Sequence, residues 1–256
     1  MLKNMDDFIK PGSDEAALFD QLDLTRLPQH VAVIMDGNGR WAKRRNRPRV
    51  EGHRAGSKSV QDVVETCARI KIPYLTLFAF SKENWKRPKT EVDMLWRLLE
   101  DYLKNEDKAL IKNNLRLKII GQRDQIPAKV IRELERVEQL TADNSGLTII
   151  LALNYGGRAE IVDAVKKIAK TPGVDIDSLD EESFASHLYT DSIPDPDLLI
   201  RTSGEIRVSN FLLWQIAYSE IWITEEYWPD FRRKHLLQAI LDYQKRERRF
   251  GDIRPR

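Results

Sequence analysis

The chain has 256 residues, with 42 Lys and Arg against 40 Asp and Glu, so its net charge is +2. Hydrophobic residues make up 41% and charged residues 32%, which supplies a core and a charged surface and excludes disordered, collagen-like and other fibrous proteins. The near-neutral balance gives no global argument for a nucleic-acid or membrane partner. The single cysteine, Cys67, forbids an intramolecular disulfide and fits a reducing, cytoplasmic compartment.

The N-terminal segment carries acids and a Pro-Gly break where a signal peptide needs an unbroken apolar run, so export by that route is not expected. No stretch approaches ~18 uncharged apolar residues, so no membrane-spanning helix is expected. We interpret residues 1–26 as an appended arm and residues 27–256 as one domain, because no repeat or low-complexity linker marks another boundary.

Short apolar runs rich in β-branched residues alternate with amphipathic segments along the chain. The predicted strands are 31–35, 75–80, 115–120, 147–153, 198–200 and 221–224. The predicted helices are 56–70, 91–113, 127–143, 158–169, 181–188 and 230–248. This alternation indicates an α/β fold with a mostly parallel central sheet of about six strands, covered by helices on both faces.

Glycines and polar residues directly follow four of the predicted strands. They are Asp36-Gly37-Asn38-Gly39-Arg40-Trp41, Ser81-Lys82-Glu83-Asn84-Trp85, Asn154-Tyr155-Gly156-Gly157-Arg158 and Arg201-Thr202-Ser203-Gly204. Because ligands of parallel sheets bind outside the carboxyl ends of the strands, we expect these residues to share one edge.

The turn that begins at Asp36 combines a carboxylate with the exposed backbone N–H groups of Gly37, Asn38 and Gly39. This combination suits Mg²⁺ and a phosphate, and it equally suits a tight turn whose aspartate caps the next helix. The cations that follow favour a polyphosphate, although some of them fit a plain solvated surface. These cations are Arg40, Lys43, Arg44, Arg45, Arg47, Arg49 and Arg54, with His53 alongside.

Gly37-x-Gly39-x-x-Ala42 matches the dinucleotide-binding pattern, but the next predicted strand ends only at Phe80, after a basic segment without the expected acidic residue. A nucleotide cofactor is therefore disfavoured. The basic stretch with Trp41 or Trp85 resembles a nucleic-acid-binding arm, yet its cations lie on one loop of a near-neutral chain, so we expect no nucleic-acid partner.

A second anion site is predicted where Arg201, Arg207 and the hydroxyl of Ser209 share one loop. Two phosphate-binding sites on one sheet edge suggest a transferase. Glu220, at the start of the last strand, fits an ion pair with a nearby arginine and a metal ligand equally well.

Five motifs, in order over about residues 27–251, resemble the cis-prenyltransferase family, most closely its bacterial undecaprenyl diphosphate synthases. The motifs begin at His30 (HVAVIMDGNGRW), Gly52 (GHxxG), Phe78 (FAFSxENWKRP), Asn154 (NYGGR) and Arg201 (RTSGExRxSNFLxWQxxYxE). The paired-aspartate cluster of the all-helical prenyltransferases is absent from the sequence.

The resemblance implies an Mg²⁺-dependent enzyme that condenses an allylic diphosphate, usually farnesyl diphosphate, with isopentenyl diphosphate units and forms cis double bonds. It implies Asp36 and Asn84 as catalytic residues and Asp36 with Glu220 as metal ligands. The substrate-binding residues that it implies are Gly37, Asn38, Gly39, Arg40, Trp41, Arg49, His53, Ser81, Lys82, Glu83, Trp85, Arg87, Arg201, Arg207, Val208 and Ser209. Lys82 departs from the family pattern, which places a small hydroxyl residue there.

From this resemblance we expect a long-chain polyprenyl diphosphate, such as undecaprenyl diphosphate for a cell-wall lipid carrier, made by a cytoplasmic homodimer. A peripheral membrane contact during product release is compatible with this expectation. The alternative is a non-catalytic subunit of the same fold that binds polyprenyl phosphates or serves as a scaffold. Leucines on the second long helix, with Trp96, fit an apolar tunnel and ordinary core packing equally well. Arg249-Phe250-Gly251 resembles an element that reaches the partner subunit.

Overall fold

The computed structural model describes residues 8–247. Its helices are α1 (Asp14–Phe19), α2 (Asn38–Arg44), α3 (Arg49–Arg69), α4 (Lys89–Lys112), α5 (Ala128–Leu140), α6 (Gly157–Lys170), α7 (Glu181–Ala185) and α8 (Arg233–Gln244). Its strands are β1 (His30–Ile34), β2 (Tyr74–Ser81), β3 (Arg116–Ile120), β4 (Thr148–Tyr155), β5 (Leu198–Thr202) and β6 (Glu220–Thr224). Short 3₁₀ helices cover Lys82–Lys86, Ile176–Ser178 and Trp228–Asp230.

The six strands form one sheet in the order β3-β4-β2-β1-β5-β6, and every neighbouring pair is parallel. The prediction of a single α/β domain with a parallel sheet is confirmed. All strands therefore end at the same side, which we call the carboxyl edge, and begin at the amino edge. The chain order reverses between β1 and β5, and in such sheets the crevice at this reversal is where ligands bind.

Side chains of the central strands alternate between two buried faces of the sheet. In β1, Val31 and Val33 belong to the core under α3, α4, α5 and α8, while Ala32 and Ile34 pack on the opposite side with Phe211. Every residue of β4 is buried. Because both faces are covered, the strands carry continuous apolar runs, which is why the sequence located them well.

Two helices near the end of β1 differ from the prediction. The sequence predicted no helix over α2 and a helix only from residue 56, whereas α3 begins at Arg49 directly after Pro48. The basic stretch from Arg40 to Arg54, interpreted as a loop, thus lies on two helices and the short connection between them. Arginine and lysine are good helix formers, but their charges hide the apolar periodicity on which the prediction depended.

The N-terminal segment from residue 8 packs on the domain. Helix α1 contacts α8, and Ile9 and Leu22 are buried in the same core as β1. The division into an arm and a domain at residue 26 remains a prediction. The predicted end of the last helix at residue 248 and the Arg249-Phe250-Gly251 element lie outside the described residues. Within residues 8–247, no helix is long and apolar enough to cross a membrane.

Candidate active site

A cavity of about 730 Å³ opens at the carboxyl edge, between the sheet and helices α3 and α4. Twelve predicted site residues line it: Asp36, Gly37, Asn38, Gly39, Arg49, His53, Ser81, Glu83, Asn84, Arg87, Arg207 and Ser209. Apolar side chains line most of the rest of the cavity, among them Val60, Leu77, Leu95, Leu98 and Leu99. The cavity therefore has a charged mouth and an apolar wall.

Asp36 follows β1 at the reversal of the strand order. Its Oδ2 accepts a hydrogen bond from Nη2 of Arg201 at 3.0 Å and lies 3.3 Å from Nη2 of Arg40, and its Oδ1 accepts the Gly37 N–H at 2.6 Å. Burial, the largest influence, raises the pKa of Asp36, but these hydrogen bonds and arginine charges together hold that pKa below its usual range. The carboxylate is therefore ionised at neutral pH, and its side chain is 32% exposed.

Gly37 has a φ of 101°, a left-handed conformation in which a side chain is strained. A Cβ there would also lie 2.8 Å from Cδ1 of Tyr227. The first helical bond of α2 runs from the Trp41 N–H to the Gly37 carbonyl at 2.8 Å. The N–H groups of Asn38, Gly39 and Arg40 therefore precede the helical bonding pattern, as expected for a turn that receives an anion.

Arg201 lies in β5 with its side chain 4% exposed. Besides Asp36, its guanidinium donates to the Arg207 carbonyl and to Oγ of Ser209 at 2.8 Å. Its Nε is buried without a hydrogen-bond partner. Arg201 does not line the cavity; it lies behind Asp36 and fixes both that carboxylate and the loop that carries Arg207.

The loop between β5 and β6 is backbone-strained, and two of its strained residues, Ser209 and Asn210, line the cavity. Ser203, Ser209 and Asn210 have φ values of 81°, 48° and 62°. Asn210 holds this loop, because its carbonyl accepts the Gly157 N–H at 2.7 Å and its Nδ2 donates to Oε1 of Glu83 at 2.9 Å. Such strain persists only where the surroundings impose it. Asn210 lines the cavity, and the sequence analysis did not select it, although it lies in the motif that begins at Arg201.

The arginines at this loop are paired with a carboxylate that the sequence analysis also missed. Glu205 accepts Nη1 of Arg40 at 2.8 Å and also pairs with Arg207, whose side chain is 57% exposed. Exposed ion pairs of this kind are weak and exchange partners readily. Arg207 lines the cavity, whereas Arg40 lies beside Asp36 and does not line it.

A second cluster of charges centres on Glu91, at the start of α4. Its carboxylate lies 3.2 Å from Nε of Arg49, 3.1 Å from Nη1 of Arg87 and 3.9 Å from Nε2 of His53. The pKa of His53 is lowered to about 4, chiefly by burial and further by the charges of Arg87 and Arg49, while Glu91 opposes them. His53 is therefore neutral, and its Nε2 is buried without a hydrogen-bond partner.

Comparison with known proteins decides the family. A family model described as "Putative undecaprenyl diphosphate synthase" matches residues 34–251. The chain is also 54% identical over 248 residues to an isoprenyl transferase of Heliobacterium mobile, which covers 96% of this chain and 95% of that protein. The chain belongs to this prenyltransferase family.

Solved structures agree with that assignment. Lavandulyl diphosphate synthase from Lavandula x intermedia, in complex with dimethylallyl diphosphate, superposes with a TM-score of 0.85 at 38% identity, over 88% of this chain and 99% of that chain. A "probable undecaprenyl diphosphate synthase" from Campylobacter jejuni gives a TM-score of 0.75 at 36% identity, with the same coverage. The predicted family and the expectation of a prenyltransferase enzyme are confirmed.

Several residues predicted to bind the prenyltransferase's substrates do not reach the cavity. Trp41 is buried and donates its Nε1–H to Asp230 at 2.8 Å. Trp85 donates its Nε1–H to Oδ1 of Asn154 at 2.8 Å, and Val208 packs on the core. Trp41 is buried and Trp85 half-buried, and such tryptophans commonly pack the ring on the core and bond the N–H to a nearby oxygen. Their predicted contact with substrate is not supported by this geometry.

Lys82 also points away from the cavity. Its Nζ donates to Oε1 of Gln122 at 2.5 Å, and the described residues that line the cavity do not include it. The predicted role of Lys82 in substrate binding therefore lacks a geometric basis in this structure.

Within one chain, the structure does not bring Glu220 to the predicted metal site beside Asp36. It begins β6 and pairs with Leu198, which is beside Val31, so it lies at the amino edge. Asp36 is five residues beyond Val31, which corresponds to roughly 16 Å along a strand. Glu220 instead forms an ion pair with Arg246 at 2.7 Å. Of the two open alternatives, the ion pair is the one that this chain forms.

The predicted leucine stripe of α4 divides between two surroundings. Leu95, Leu98 and Leu99 line the cavity, together with Tyr102, which the sequence analysis missed. Trp96 and Leu103, on neighbouring positions of the helix, are 2% and 1% exposed and belong to the core. Helical periodicity identified the apolar residues of α4 but did not show which of them border the cavity.

The donor set at Asp36 is compatible with Mg²⁺. Within residues 8–247, no group of three or more His, Cys, Asp or Glu side chains is placed to hold a metal ion. Magnesium nevertheless commonly takes one or two carboxylates together with phosphate oxygens and water. An ionised, partly exposed carboxylate beside an anion-receiving turn is the environment that such a site needs.

Proposed function

We propose that this prenyltransferase condenses isopentenyl diphosphate units onto farnesyl diphosphate, with Mg²⁺, to give a long-chain polyprenyl diphosphate such as undecaprenyl diphosphate. The observation that carries the proposal is a single cavity that joins a cationic, glycine-lined mouth to an apolar wall. A diphosphate with an isoprenoid chain has the same two-part chemistry. Its charged end needs cations and N–H donors, and its hydrocarbon end needs a dry surface.

Two groups of residues would hold the two diphosphates. The turn from Gly37 to Gly39, with Arg49 and His53 beside it, would bind the allylic diphosphate. Arg207 and Ser209 would bind isopentenyl diphosphate on the other side of Asp36, with Arg201 holding their loop in place. Arg40 would break its ion pair with Glu205, and Arg87 its ion pair with Glu91. Both guanidinium groups would then neutralise the bound anions.

Breaking the allylic C–O bond leaves extra negative charge on the departing diphosphate. Guanidinium and N–H groups already aimed at that position stabilise this charge more in the transition state than in the ground state. Asp36 would hold Mg²⁺, which supplies further neutralisation of the diphosphate when bound. Asn84 lines the mouth, and its Oδ1 accepts the Ser81 N–H at 3.2 Å. We place it, with Asp36, near the proton that isopentenyl diphosphate loses.

The apolar wall would receive the growing chain. Leu95, Leu98 and Leu99 lie on successive turns of α4 and line the cavity. Val60 of α3 also lines it. Each added isoprene unit buries further hydrocarbon, which favours elongation over release. We propose that the enzyme acts as a cytoplasmic homodimer that supplies a cell-wall lipid carrier and contacts the membrane peripherally when it releases product.

The test is incubation with farnesyl diphosphate and labelled isopentenyl diphosphate, followed by extraction and chromatographic sizing of the product. We expect a long apolar product in the presence of Mg²⁺, none after EDTA, and recovery when Mg²⁺ is restored. Absence of labelled product with farnesyl and shorter allylic primers would favour the non-catalytic, polyprenyl-phosphate-binding alternative instead.

A further inference from the structure

Lys82 begins a chain of polar contacts that leads away from the cavity. Its Nζ donates to Oε1 of Gln122, and Nε2 of Gln122 donates to Oδ2 of Asp163 at 2.6 Å. The same Oδ2 of Asp163 accepts the hydroxyl of Tyr189. The Lys82–Lys86 turn is thereby tied to the loop after β3, to α6 and to the segment before β5.

Gln122 is a fixed partner for Lys82. The Gln122 carbonyl accepts Nδ2 of Asn154 at 3.1 Å, and Asn154 is 1% exposed in β4. The amide of Gln122 also has one satisfactory orientation, because its oxygen must face the ammonium group and its nitrogen must face the carboxylate. An ammonium group and a carboxylate thus polarise the amide from both sides, which strengthens both hydrogen bonds.

The Lys82 stem lies on Gly156, at the end of β4. A Cβ at position 156 would lie 3.7 Å from Cδ of Lys82 and 2.7 Å from Nδ2 of Asn210. Asn210 is also the partner of Glu83. Lys82 and Glu83, the first two residues of the turn, are therefore both connected to the end of β4. Lys82 is connected through Gln122, which bonds Asn154, and Glu83 is connected through Asn210, which bonds Gly157.

The anchored turn carries two groups of the proposed reaction. Asn84 lies inside it, and Arg87 follows it with its Nη1 3.1 Å from Glu91. Both line the mouth of the cavity, whereas Lys82 does not. A small hydroxyl side chain at position 82 is too short to reach Gln122, so this anchor depends on the lysine of this chain.

We infer that Lys82 is a positioning residue for prenyl transfer, which acts through Gln122 and Asp163 to hold Asn84 and Arg87 at the mouth of the cavity. This inference rests on the proposed function, because prenyl transfer is the reaction that Lys82 would support. Its physical basis is that a displacement of about 1 Å of a group at a reacting centre lowers the rate by as much as ~100-fold.

The test compares steady-state rates of Lys82→Met, Gln122→Met and the double variant with the wild type, using farnesyl and isopentenyl diphosphates. We expect each single variant to lower kcat about tenfold and to change the KM values by the same factor in both variants, because each loses the position of Asn84 and Arg87 rather than a direct contact with substrate. The double variant should be no worse than either single variant, because both break one chain of contacts. Lys82→Arg, which keeps a long donor, should restore most of kcat.

Lys86→Met is the matched control, since Lys86 is an exposed lysine of the same turn. It should behave as the wild type. A higher KM in Lys82→Met but not in Gln122→Met would overturn the inference in favour of direct diphosphate binding by Lys82. Unchanged kcat in both single variants, or additive losses in the double variant, would also overturn it. A wild-type enzyme without turnover would contradict the proposed function rather than this inference.

Discussion

The two edges of the sheet differ in whether their buried polar groups have hydrogen-bond partners. Within residues 8–247, six buried side-chain atoms have no hydrogen-bond partner, and four of them lie at the carboxyl edge: Asn38 Oδ1, His53 Nε2, Arg201 Nε and Ser203 Oγ. Buried polar atoms are normally bonded, and exceptions often mark sites that receive something else.

At the amino edge the polar groups are satisfied by the protein itself. Both ring nitrogens of His30 are bonded, Nδ1 to the Pro194 carbonyl at 2.6 Å and Nε2 to Oγ1 of Thr76 at 2.7 Å. Asp197 accepts the N–H groups of Gln29 and His30 at 2.7 and 3.2 Å. This edge holds the fold together, whereas the carboxyl edge keeps donors and charges available for ligands.

The largest difference between the edges is expected from two arginines, Arg201, which is buried, and Arg69, which is mostly buried. Arg201→Met removes the partner of Asp36 and frees the loop of Arg207, so kcat/KM should fall by about 100-fold or more. Arg69→Met is the matched change at the amino edge, where Arg69 is 13% exposed and pairs with Glu65 at 2.7 Å. It should change the thermal midpoint but not kcat/KM. Equal activity losses in the two variants would remove the functional distinction between the edges.

The apolar wall can be tested with a change in bulk. Leu99→Trp should fill part of the cavity and shorten the product by one or more isoprene units, with the first condensation unaffected. Ile111→Trp adds the same bulk on α4 at a residue that is 45% exposed, and its product should match that of the wild type. Chromatographic sizing of both products is the measurement. An unchanged product from Leu99→Trp would show that the chain grows elsewhere.

The smallest expected effect is a change in pKa at one of two histidines whose pKa values are about equal without ligand. Burial lowers the pKa of His30 to about 4, against its bond to Pro194 and the charge of Asp197, and the pKa of His53 is also about 4. Inorganic pyrophosphate in the mouth would cancel the charges of Arg49 and Arg87. That change favours the protonated form of His53 and should raise its pKa by about one unit.

NMR titration of the imidazole Cε1–H signals, without and with pyrophosphate, measures both groups, and a His53→Asn sample assigns one of them. The His30 signal should titrate as before, because it lies at the far edge. A His53 pKa that does not rise, or rises together with that of His30, would contradict binding of the anion at this mouth.

The sequence predicted the strands and the residues that follow them because both depend on local pattern. Asp36 and the Gly37 turn could be placed at the carboxyl edge from their position after β1 alone. The same rule would have placed Glu220 at the amino edge, because a residue that begins a parallel strand lies at the opposite edge of the sheet from a residue that follows a strand.

The remaining site depended on long-range contacts that no local pattern encodes. Glu91 meets Arg49 and His53 from another helix, and Asn210 meets Glu83 across the sheet edge. The direction of Trp41 and Trp85 was likewise undetermined, because an indole ring fits a core and a ligand site equally well. Which face of α4 borders the cavity followed only from the packing of α3 and α4 on the sheet.

The most direct test of the account is the prenyl-transfer rate of Asp36→Asn beside Asp143→Asn, with farnesyl and labelled isopentenyl diphosphates and Mg²⁺. Asp143 is exposed in the connection between α5 and β4, at the amino edge, and matches the change of carboxylate to amide. We predict that Asp36→Asn loses about 100-fold or more of the wild-type rate, because its site loses the ionised oxygen donor. Asp143→Asn should retain that rate. Wild-type turnover by Asp36→Asn would contradict the assignment of the carboxyl edge as the reacting centre.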